Sequence, residues 1–255
     1  YVCKIGVMKR KFNNLNINYR YTYNKQRDKV VLLLHGWGGS LNSFRFLEKF
    51  LVENGFSVIN LDFPGFGASD LPPQDFEMQD YYKIVSELLD YEKIENVFVV
   101  AHSFGGRVAI LLSALEPERV KKLVLCDSAG LKPKFSLSKQ IKIFNYKIAK
   151  KLKSIGLIKR DLINYGSEDF KALPEQTKPV FCKIVNSNLE NYLGDITAQT
   201  LLVWGTNDKD TPLYMAKKMN KKIKDSAIVT FDGCGHFCYL EQPEKFEIIL
   251  KKFFE

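Results

Sequence analysis

The stretch "VVAHSFGGR" (Val99–Arg107) places a single serine among small residues directly after an apolar run. The residues before it, "NVFVVA" (Asn96–Ala101), have the β-branched and aromatic composition of a buried strand. From Ser103 onward, apolar side chains recur at helical spacing until Pro117. Because almost no loop separates strand from helix, the chain must turn sharply at Ser103, which predicts strained backbone angles there.

Strand and helix patterns alternate on both sides of this turn. Continuous apolar runs between helical segments are typical of a mostly parallel sheet flanked by helices, which predicts the α/β class. The other predicted parallel strands are residues 30–34, 56–62, 122–127, 200–205 and 227–232. The predicted helices are residues 42–54, 76–91, a segment from about 212, and residues 243–254. For the first 24 residues we expect an antiparallel hairpin at the sheet edge.

Residues 131–190 interrupt this rhythm with a helical pattern and no strands. We interpret them as a helical cap, or lid, inserted into a core of residues 1–130 and 191–255. Within the cap, apolar residues recur in steps of three and four, so one helix face should pack over Ser103. This apolar stripe consists of Leu137, Ile141, Phe144, Ile148, Leu152 and Ile155.

The net charge of +9 comes from this cap. Residues 131–160 contain ten Lys or Arg and no Asp or Glu, whereas the rest of the chain has 28 basic and 29 acidic residues. The balanced remainder argues against a nucleic-acid-binding surface. The basic segment fits a solvated face, the attraction of anionic substrates, or weak contact with an anionic membrane surface.

Length and composition indicate a globular protein. The 255 residues, 45% of them hydrophobic, can bury a large core. We find no apolar run of membrane-spanning length and no signal sequence, so stable membrane insertion is not expected. The five cysteines are odd in number and scattered, which favours free thiols in a reducing cytoplasm. We expect a monomer or a homodimer.

Four unusual loops follow predicted strands from distant parts of the chain. They are "HGWGGS" (35–40), the turn at Ser103, "GTNDKDTP" (205–212) and "GCGHFCYLEQPE" (233–244). In parallel sheets, functional groups gather beyond the carboxyl ends of the strands. We therefore expect these four loops to meet at one edge of the sheet.

A serine hydroxyl becomes a strong nucleophile only when a base takes its proton and an acid orients the base. Of the three histidines, His35 and His102 are placed to support local turns, which leaves His236 as the base. The candidate acids are Asp208 and Asp210 in the loop before it and Asp127 after another strand. The order Ser103, Asp208, His236 is that of a nucleophile-elbow hydrolase.

In five motifs the chain resembles the α/β-hydrolase family. The elbow "AHSFG" (101–105) is similar to G-x-S-x-G, with Ala101 in place of the first glycine. The other motifs are "LHGWGGS" (34–40), "DFPGFGAS" (62–69), "WGTNDKDTP" (204–212) and "GHFCYLEQPEKF" (235–246). The His-Gly-Trp loop and the size of the insert resemble those of small carboxylesterases and carbon–carbon bond hydrolases.

This resemblance implies a catalytic triad of Ser103, Asp208 and His236. It also implies an oxyanion hole made by the backbone N–H groups of Trp37 and Phe104. The residues that would support these loops are His35, Gly36, Gly38 and Gly105. The implied reaction is hydrolysis of a carboxylic ester or thioester of a small to medium acyl substrate through an acyl-enzyme, without a cofactor or metal.

Several alternatives remain open. Ser103 can serve only as the N-cap of its helix. Cys234, His236 and Cys238 alternate like metal ligands, although a fourth ligand is not apparent. The glycine-rich stretch 65–68 does not complete the dinucleotide-binding pattern G-x-G-x-x-G. The same triad can also cleave a carbon–carbon bond, and the same fold can bind a small molecule without catalysis.

Overall fold

A computed structural model describes residues 3–24, 29–133 and 177–255, together with positions 148, 155 and 173. Its strands form one eight-stranded sheet in the order β1-β2-β4-β3-β5-β6-β7-β8. The strands are β1 (Cys3–Phe12), β2 (Leu15–Tyr23), β3 (Val30–Leu34), β4 (Ser57–Leu61), β5 (Val97–His102), β6 (Val120–Cys126), β7 (Gln199–Gly205) and β8 (Ser226–Phe231). Strands β3 to β8 are parallel. The predicted α/β class is confirmed.

Helices connect the parallel strands. The described helices are α1 (Arg45–Glu53), α2 (Met78–Tyr91), α3 (Phe104–Leu115), α4 (Lys178–Asn186), α5 (Tyr214–Lys222), α6 (Cys238–Glu241) and α7 (Pro243–Phe254). The helix predicted from residue 42 opens as a 3-10 turn, Leu41–Phe44, which Ser40 caps before α1 begins. Helix α2 begins at Met78 because Glu77 and Asp80 form a capping box there. Of the helices in the described part of the chain, none is long and apolar enough to cross a membrane.

The predicted hairpin at the sheet edge is confirmed. Strands β1 and β2 pair antiparallel, and β2 then pairs antiparallel with β4. Asn13 and Asn14 form the connecting turn, with left-handed φ values of 41° and 64°. Asparagine tolerates these values better than most residues, and they are the values that a two-residue hairpin loop needs.

The central strands are buried on both faces of the sheet. Leu32 and Leu34 of β3 pack into a cluster with side chains of α2 and α3. Val31 and Leu33 of the same strand pack into a second cluster with side chains of α1 and α7. This double burial explains why the strand is a continuous apolar run. It also leaves the carboxyl ends of the parallel strands at one open edge, where a site can form.

Most of the predicted cap lies outside the described residues. Within the part that is described, α4 and the start of a 3-10 helix (Glu190–Asp195) agree with the helical pattern. Ile148 and Ile155 belong to the predicted apolar stripe and are both exposed, so these two positions do not support its burial. The other members of the stripe and most of the basic residues lie outside the described ranges. The cap boundaries at residues 131 and 190 stay a prediction.

Candidate active site

Ser103 occupies a strained turn between β5 and α3. Its φ of 48° and ψ of −112° lie in a region that residues with side chains rarely adopt. The turn is tight because α3 packs directly onto the end of β3, where a Cβ on Gly105 would collide with the carbonyl oxygen of Leu34. The Ser103 side chain makes no capping hydrogen bond to α3, so the structure does not support the helix-cap alternative.

Three side chains from three loops form one hydrogen-bonded chain. Oγ of Ser103 lies 2.9 Å from Nε2 of His236, and Nδ1 of His236 lies 2.9 Å from Oδ2 of Asp208. These loops follow β5, β8 and β7, whose carboxyl ends share one edge of the sheet. When Nδ1–H donates to the carboxylate, Nε2 is left to accept the serine proton.

Asp208 is held by donors from its own loop. Its Oδ1 accepts the backbone N–H groups of Asp210 and Thr211 at 2.8 and 3.0 Å. Its Oδ2 accepts the Thr211 hydroxyl at 2.6 Å. Burial alone would raise the pKa of Asp208, but the hydrogen bonds from His236 and Thr211 bring the pKa below its ordinary value. Asp208 therefore faces His236 as a carboxylate.

The same loop defines the roles of two further residues. Asp210, the first alternative acid, donates its backbone N–H to the Asp208 carboxylate. The side chain of Asp210 is exposed. Thr211 was not singled out by the sequence patterns. The signal that points to it is the spacing Asp-x-x-Thr, in which an aspartate accepts hydrogen bonds from the residues that follow it in a turn.

His236 is electrostatically suited to hold a proton during a reaction. Its burial would lower the pKa, but the hydrogen bond and the charge of Asp208 outweigh burial, so the pKa is raised. Asp210 adds to this effect through its charge. A raised pKa means that the imidazolium is stabilised in place, which is the property that a general base needs.

Asp127, the second alternative acid, is fully buried at the end of β6 and has a left-handed φ of 43°. Its Oδ1 accepts the N–H of Gly205 at 2.8 Å, and its Oδ2 accepts the N–H of Cys238 at 3.1 Å. Burial raises the pKa of Asp127, and these hydrogen bonds oppose the rise. Since Gly205 and Cys238 flank the loops that carry Asp208 and His236, Asp127 fixes one loop relative to the other.

We expect Asp127→Asn to lower the free energy of unfolding by about 2 kcal/mol. An amide offers one acceptor oxygen where two buried N–H groups each need one, so one of them is left unpaired. The midpoint of urea denaturation measures the loss. Asp210→Asn is the matched control, because its exposed side chain should change stability by no more than about 0.5 kcal/mol. Equal midpoints for the two variants would contradict the positioning role of Asp127.

The remaining histidines are both buried, and burial lowers the pKa of His35 to about 4 and that of His102 to about 3. His35 donates from Nδ1 to the Gly36 carbonyl at 2.7 Å and accepts the Phe63 N–H at Nε2 at 3.0 Å. The second of these bonds joins the loop after β3 to the loop after β4. His102 instead donates from Nε2 to the backbone carbonyl of His236 at 2.7 Å. This bond joins the turn at Ser103 to the loop that carries His236, a contact beyond the local turn that the sequence pattern indicates.

A cavity of about 320 Å³ opens over Ser103 and is also lined by Trp37, Phe104 and His236. The N–H of Phe104, the first residue of α3, has no partner within its helix. Neither this N–H nor that of Trp37 donates to an acceptor in the described part of the chain. Gly38, with a φ of 77°, completes the turn after Trp37. Trp37 and Phe104 line the same cavity as Ser103, and the assignment of their N–H groups as an oxyanion hole stays a prediction.

Candidate metal ligands group differently from their spacing in the sequence. In the described ranges, the clustered ligand atoms belong to Cys126, Asp127 and Cys238 and, separately, to Asp208, Asp210 and His236. Cys234 does not join His236 and Cys238 in either group. In the second group, Asp208 is already bonded to His236 and to the backbone N–H of Asp210. The carboxylate oxygens of Asp127 in the first group already accept backbone N–H groups.

Comparison with known proteins places this architecture in a family. A profile of the alpha/beta hydrolase fold matches residues 29–153, and a profile described as TAP-like protein matches residues 177–253. The 2-hydroxy-6-oxononadienedioate/2-hydroxy-6-oxononatrienedioate hydrolase 1 of Pseudomonas putida is 28% identical, over 94% of this chain and 93% of that enzyme. The 2-hydroxy-6-oxo-6-phenylhexa-2,4-dienoate hydrolase of Comamonas testosteroni is also 28% identical, over 86% and 85% of the two chains.

Solved structures show the same fold. An esterase from Exiguobacterium antarcticum superposes with a TM-score of 0.76 at 22% identity, over 98% of this chain and 99% of that chain. At that level of identity the likeness concerns the fold alone. Three findings indicate the same family. They are the profile matches, the relatives named as hydrolases, and the eight-stranded sheet with its strand–turn–helix at Ser103. The chain therefore belongs to the α/β-hydrolase fold family.

Proposed function

We propose that this α/β hydrolase is a serine hydrolase that cleaves a carboxylic ester through an acyl-enzyme. The observation that carries the proposal is the unbroken chain from Ser103 through His236 to Asp208, with both contacts at 2.9 Å. A protein that only binds a small molecule has no physical need for a strained serine, a base with a raised pKa and an ionised acid in line. Removing the serine proton requires all three.

The geometry suggests a two-step reaction. Oγ of Ser103 attacks the ester carbonyl while Nε2 of His236 takes the hydroxyl proton, and the N–H groups of Trp37 and Phe104 bind the resulting oxyanion. His236 then gives the proton to the leaving alcohol, and the acyl group remains on Ser103. Water, activated by His236, releases the acid in the second step. Throughout, Asp208 holds the imidazole in one orientation and stabilises its charge.

The cavity walls favour an acyl chain of small to medium size. Apolar side chains from α4, from α5 and from the loops that follow β6 and β8 form a large part of the lining beyond the triad. They are Leu131, Phe181, Ile184, Val185, Met215 and Phe237. The volume of about 320 Å³ lies at the lower end of the range for small-molecule sites. An ester or thioester with a short to medium apolar acyl group fits these dimensions.

Hydrolysis of a carbon–carbon bond is the second candidate function. It is favoured by the names of two relatives, since a 2-hydroxy-6-oxo dienoate contains no ester and its hydrolysis must break a carbon–carbon bond. A serine triad with an oxyanion hole can serve both reactions. We place ester hydrolysis first because those relatives are 28% identical, and substrate choice depends on pocket walls that change readily at that distance.

A substrate panel separates the candidates. It contains p-nitrophenyl esters from acetate to dodecanoate, the methyl ester of the best acyl group as an unactivated substrate, and 2-hydroxy-6-oxo-6-phenylhexa-2,4-dienoate. We expect kcat/KM to peak at an intermediate chain length and the methyl ester to be hydrolysed faster than the dienoate. Faster turnover of the dienoate would favour carbon–carbon cleavage. No turnover of any compound by folded protein would favour a binding function.

A further inference from the structure

Arg107 is a buried cation beside the proposed nucleophile. It lies on α3 one helical turn after Ser103, about 6 Å along the helix axis. The side chain is only 6% exposed, yet it lines the same cavity as Ser103 and His236. Placing a guanidinium in a largely apolar pocket is unfavourable unless an anion compensates its charge.

The described part of the chain provides no such anion. Nη1 of Arg107 donates to the carbonyl oxygen and the hydroxyl of Ser187, at 2.8 and 2.9 Å. Nη2 donates to the carbonyl oxygen of Val185 at 3.4 Å. All three acceptors are neutral, and no carboxylate in the described ranges lies within ion-pair distance. Burial lowers the pKa of Arg107 to about 10, so the side chain is still charged at neutral pH.

Two donors of the guanidinium are left over. Arginine has five N–H groups, and the recorded bonds occupy both hydrogens of Nη1 and one of Nη2. Nε and Nη2 share one edge of the planar group, the edge that can bind a carboxylate through two parallel hydrogen bonds. Nε has no acceptor in the described ranges and is not fully buried, and Arg107 is one of the residues that line the cavity.

The bonds from Arg107 to the end of α4 explain only part of the position of the guanidinium. Val185 and Ser187 lie at the carboxyl end of α4, where a cation is favourable because the last carbonyls carry a partial negative charge. That partial charge amounts to about half an elementary charge and does not neutralise a guanidinium. Nε also makes no bond to α4.

We propose that Arg107 binds a carboxylate group of the substrate, at the end of the acyl chain remote from the scissile carbonyl. The inference rests on the proposed function, since Ser103 must hold that carbonyl. It narrows the substrate class to half-esters of dicarboxylic acids or other acyl compounds with a terminal carboxylate. The apolar walls then contact the methylene chain between the two ends.

The test compares mono-p-nitrophenyl glutarate with p-nitrophenyl 5-methylhexanoate, in which an isopropyl group replaces the carboxylate. The readout is the ratio of kcat/KM for the anionic ester to that for the neutral ester. Arg107→Met should lower this ratio at least about ten-fold, and Arg107→Lys should lower it less because the charge stays while the paired donors are lost. Lys132→Met is the control. Lys132 has the same charge on an exposed side chain and lies between Leu131 and Pro133, which both line the cavity. This variant should leave the ratio within about two-fold of the wild-type ratio.

Two outcomes overturn the inference. The first is an unchanged ratio in a folded Arg107→Met variant or, if that variant does not fold, in Arg107→Lys. The second is an equal fall of the ratio in Lys132→Met, which would indicate general attraction by the basic surface.

Titration calorimetry with monomethyl glutarate tests the inference separately from the proposed function. If no ester is hydrolysed, the carboxylate site is still supported when monomethyl glutarate binds to the wild type and does not bind to Arg107→Met. Equal binding to both proteins, or no binding to the wild type, contradicts the site.

Discussion

Replacing Ser103 or His236 with alanine should lower kcat/KM for the best ester at least about a thousand-fold. Without Oγ there is no nucleophile. Without the imidazole, the hydroxyl keeps its proton and reacts slowly. Steady-state hydrolysis of the p-nitrophenyl ester measures both losses. Ser113→Ala is the matched control, because Ser113 lies on the same helix, is fully buried, and has a hydroxyl without a hydrogen-bond partner in the described part of the chain.

The double variant shows whether the two residues act together. Groups that act as one unit give losses that do not add, so Ser103→Ala combined with His236→Ala should be scarcely slower than either single variant. Two independent contributions would instead multiply. Full additivity of the two losses would contradict a joint role of Ser103 and His236, despite the 2.9 Å contact between them.

Asp208→Asn should lower kcat/KM by about a thousand-fold to ten-thousand-fold while leaving the protein folded. The amide can hold the imidazole in the wrong tautomer, with the hydrogen placed on the nitrogen that must accept the serine proton. Asp210→Asn should keep most of the activity, because its side chain is exposed and only its backbone N–H contacts Asp208. If Asp210→Asn were the more damaging change, the acid would be wrongly assigned.

The same variant changes the pH dependence. His236 must be neutral to act as a base, and its raised pKa places the acid limb of kcat/KM above pH 6.5, the ordinary histidine value. As the pH falls through that raised pKa, His236 is protonated and activity is lost. Asparagine removes the charge and the carboxylate hydrogen bond that raise the pKa, so the limb should move to lower pH in Asp208→Asn. A limb at the same pH in both proteins would contradict the coupling between Asp208 and His236.

The elbow and the alternation of strands and helices could be predicted because their signals are local. Burial of β3 on both faces leaves a continuous apolar run, and the close approach of α3 to Leu34 requires glycine at position 105. Ser103, Asp208 and His236 follow the parallel strands β5, β7 and β8, whose carboxyl ends lie at one edge of the sheet. The two contacts that join these residues followed from patterns that each span fewer than about ten residues.

Residues that act over long distances in the chain could not be predicted in this way. The bond from His102 to the His236 carbonyl and the two bonds of Asp127 join segments that no local pattern relates. In the sequence, Arg107 has the pattern of an ordinary polar residue of a helix. Only the structure shows that it is buried and that its hydrogen-bond partners are neutral. Tertiary contacts decide the roles of these residues, whereas local spacing decides the elbow.

Labelling with a fluorophosphonate tests most directly whether Ser103 is an activated nucleophile. Intact mass spectrometry of the wild type, followed by peptide mapping, should find one adduct per chain, located on Ser103. Ser103→Ala should remain unlabelled, and His236→Ala should react far more slowly, since the probe reports activation of the hydroxyl. A folded wild type that stays unlabelled, or an adduct on any other residue, would contradict the proposed serine hydrolase mechanism.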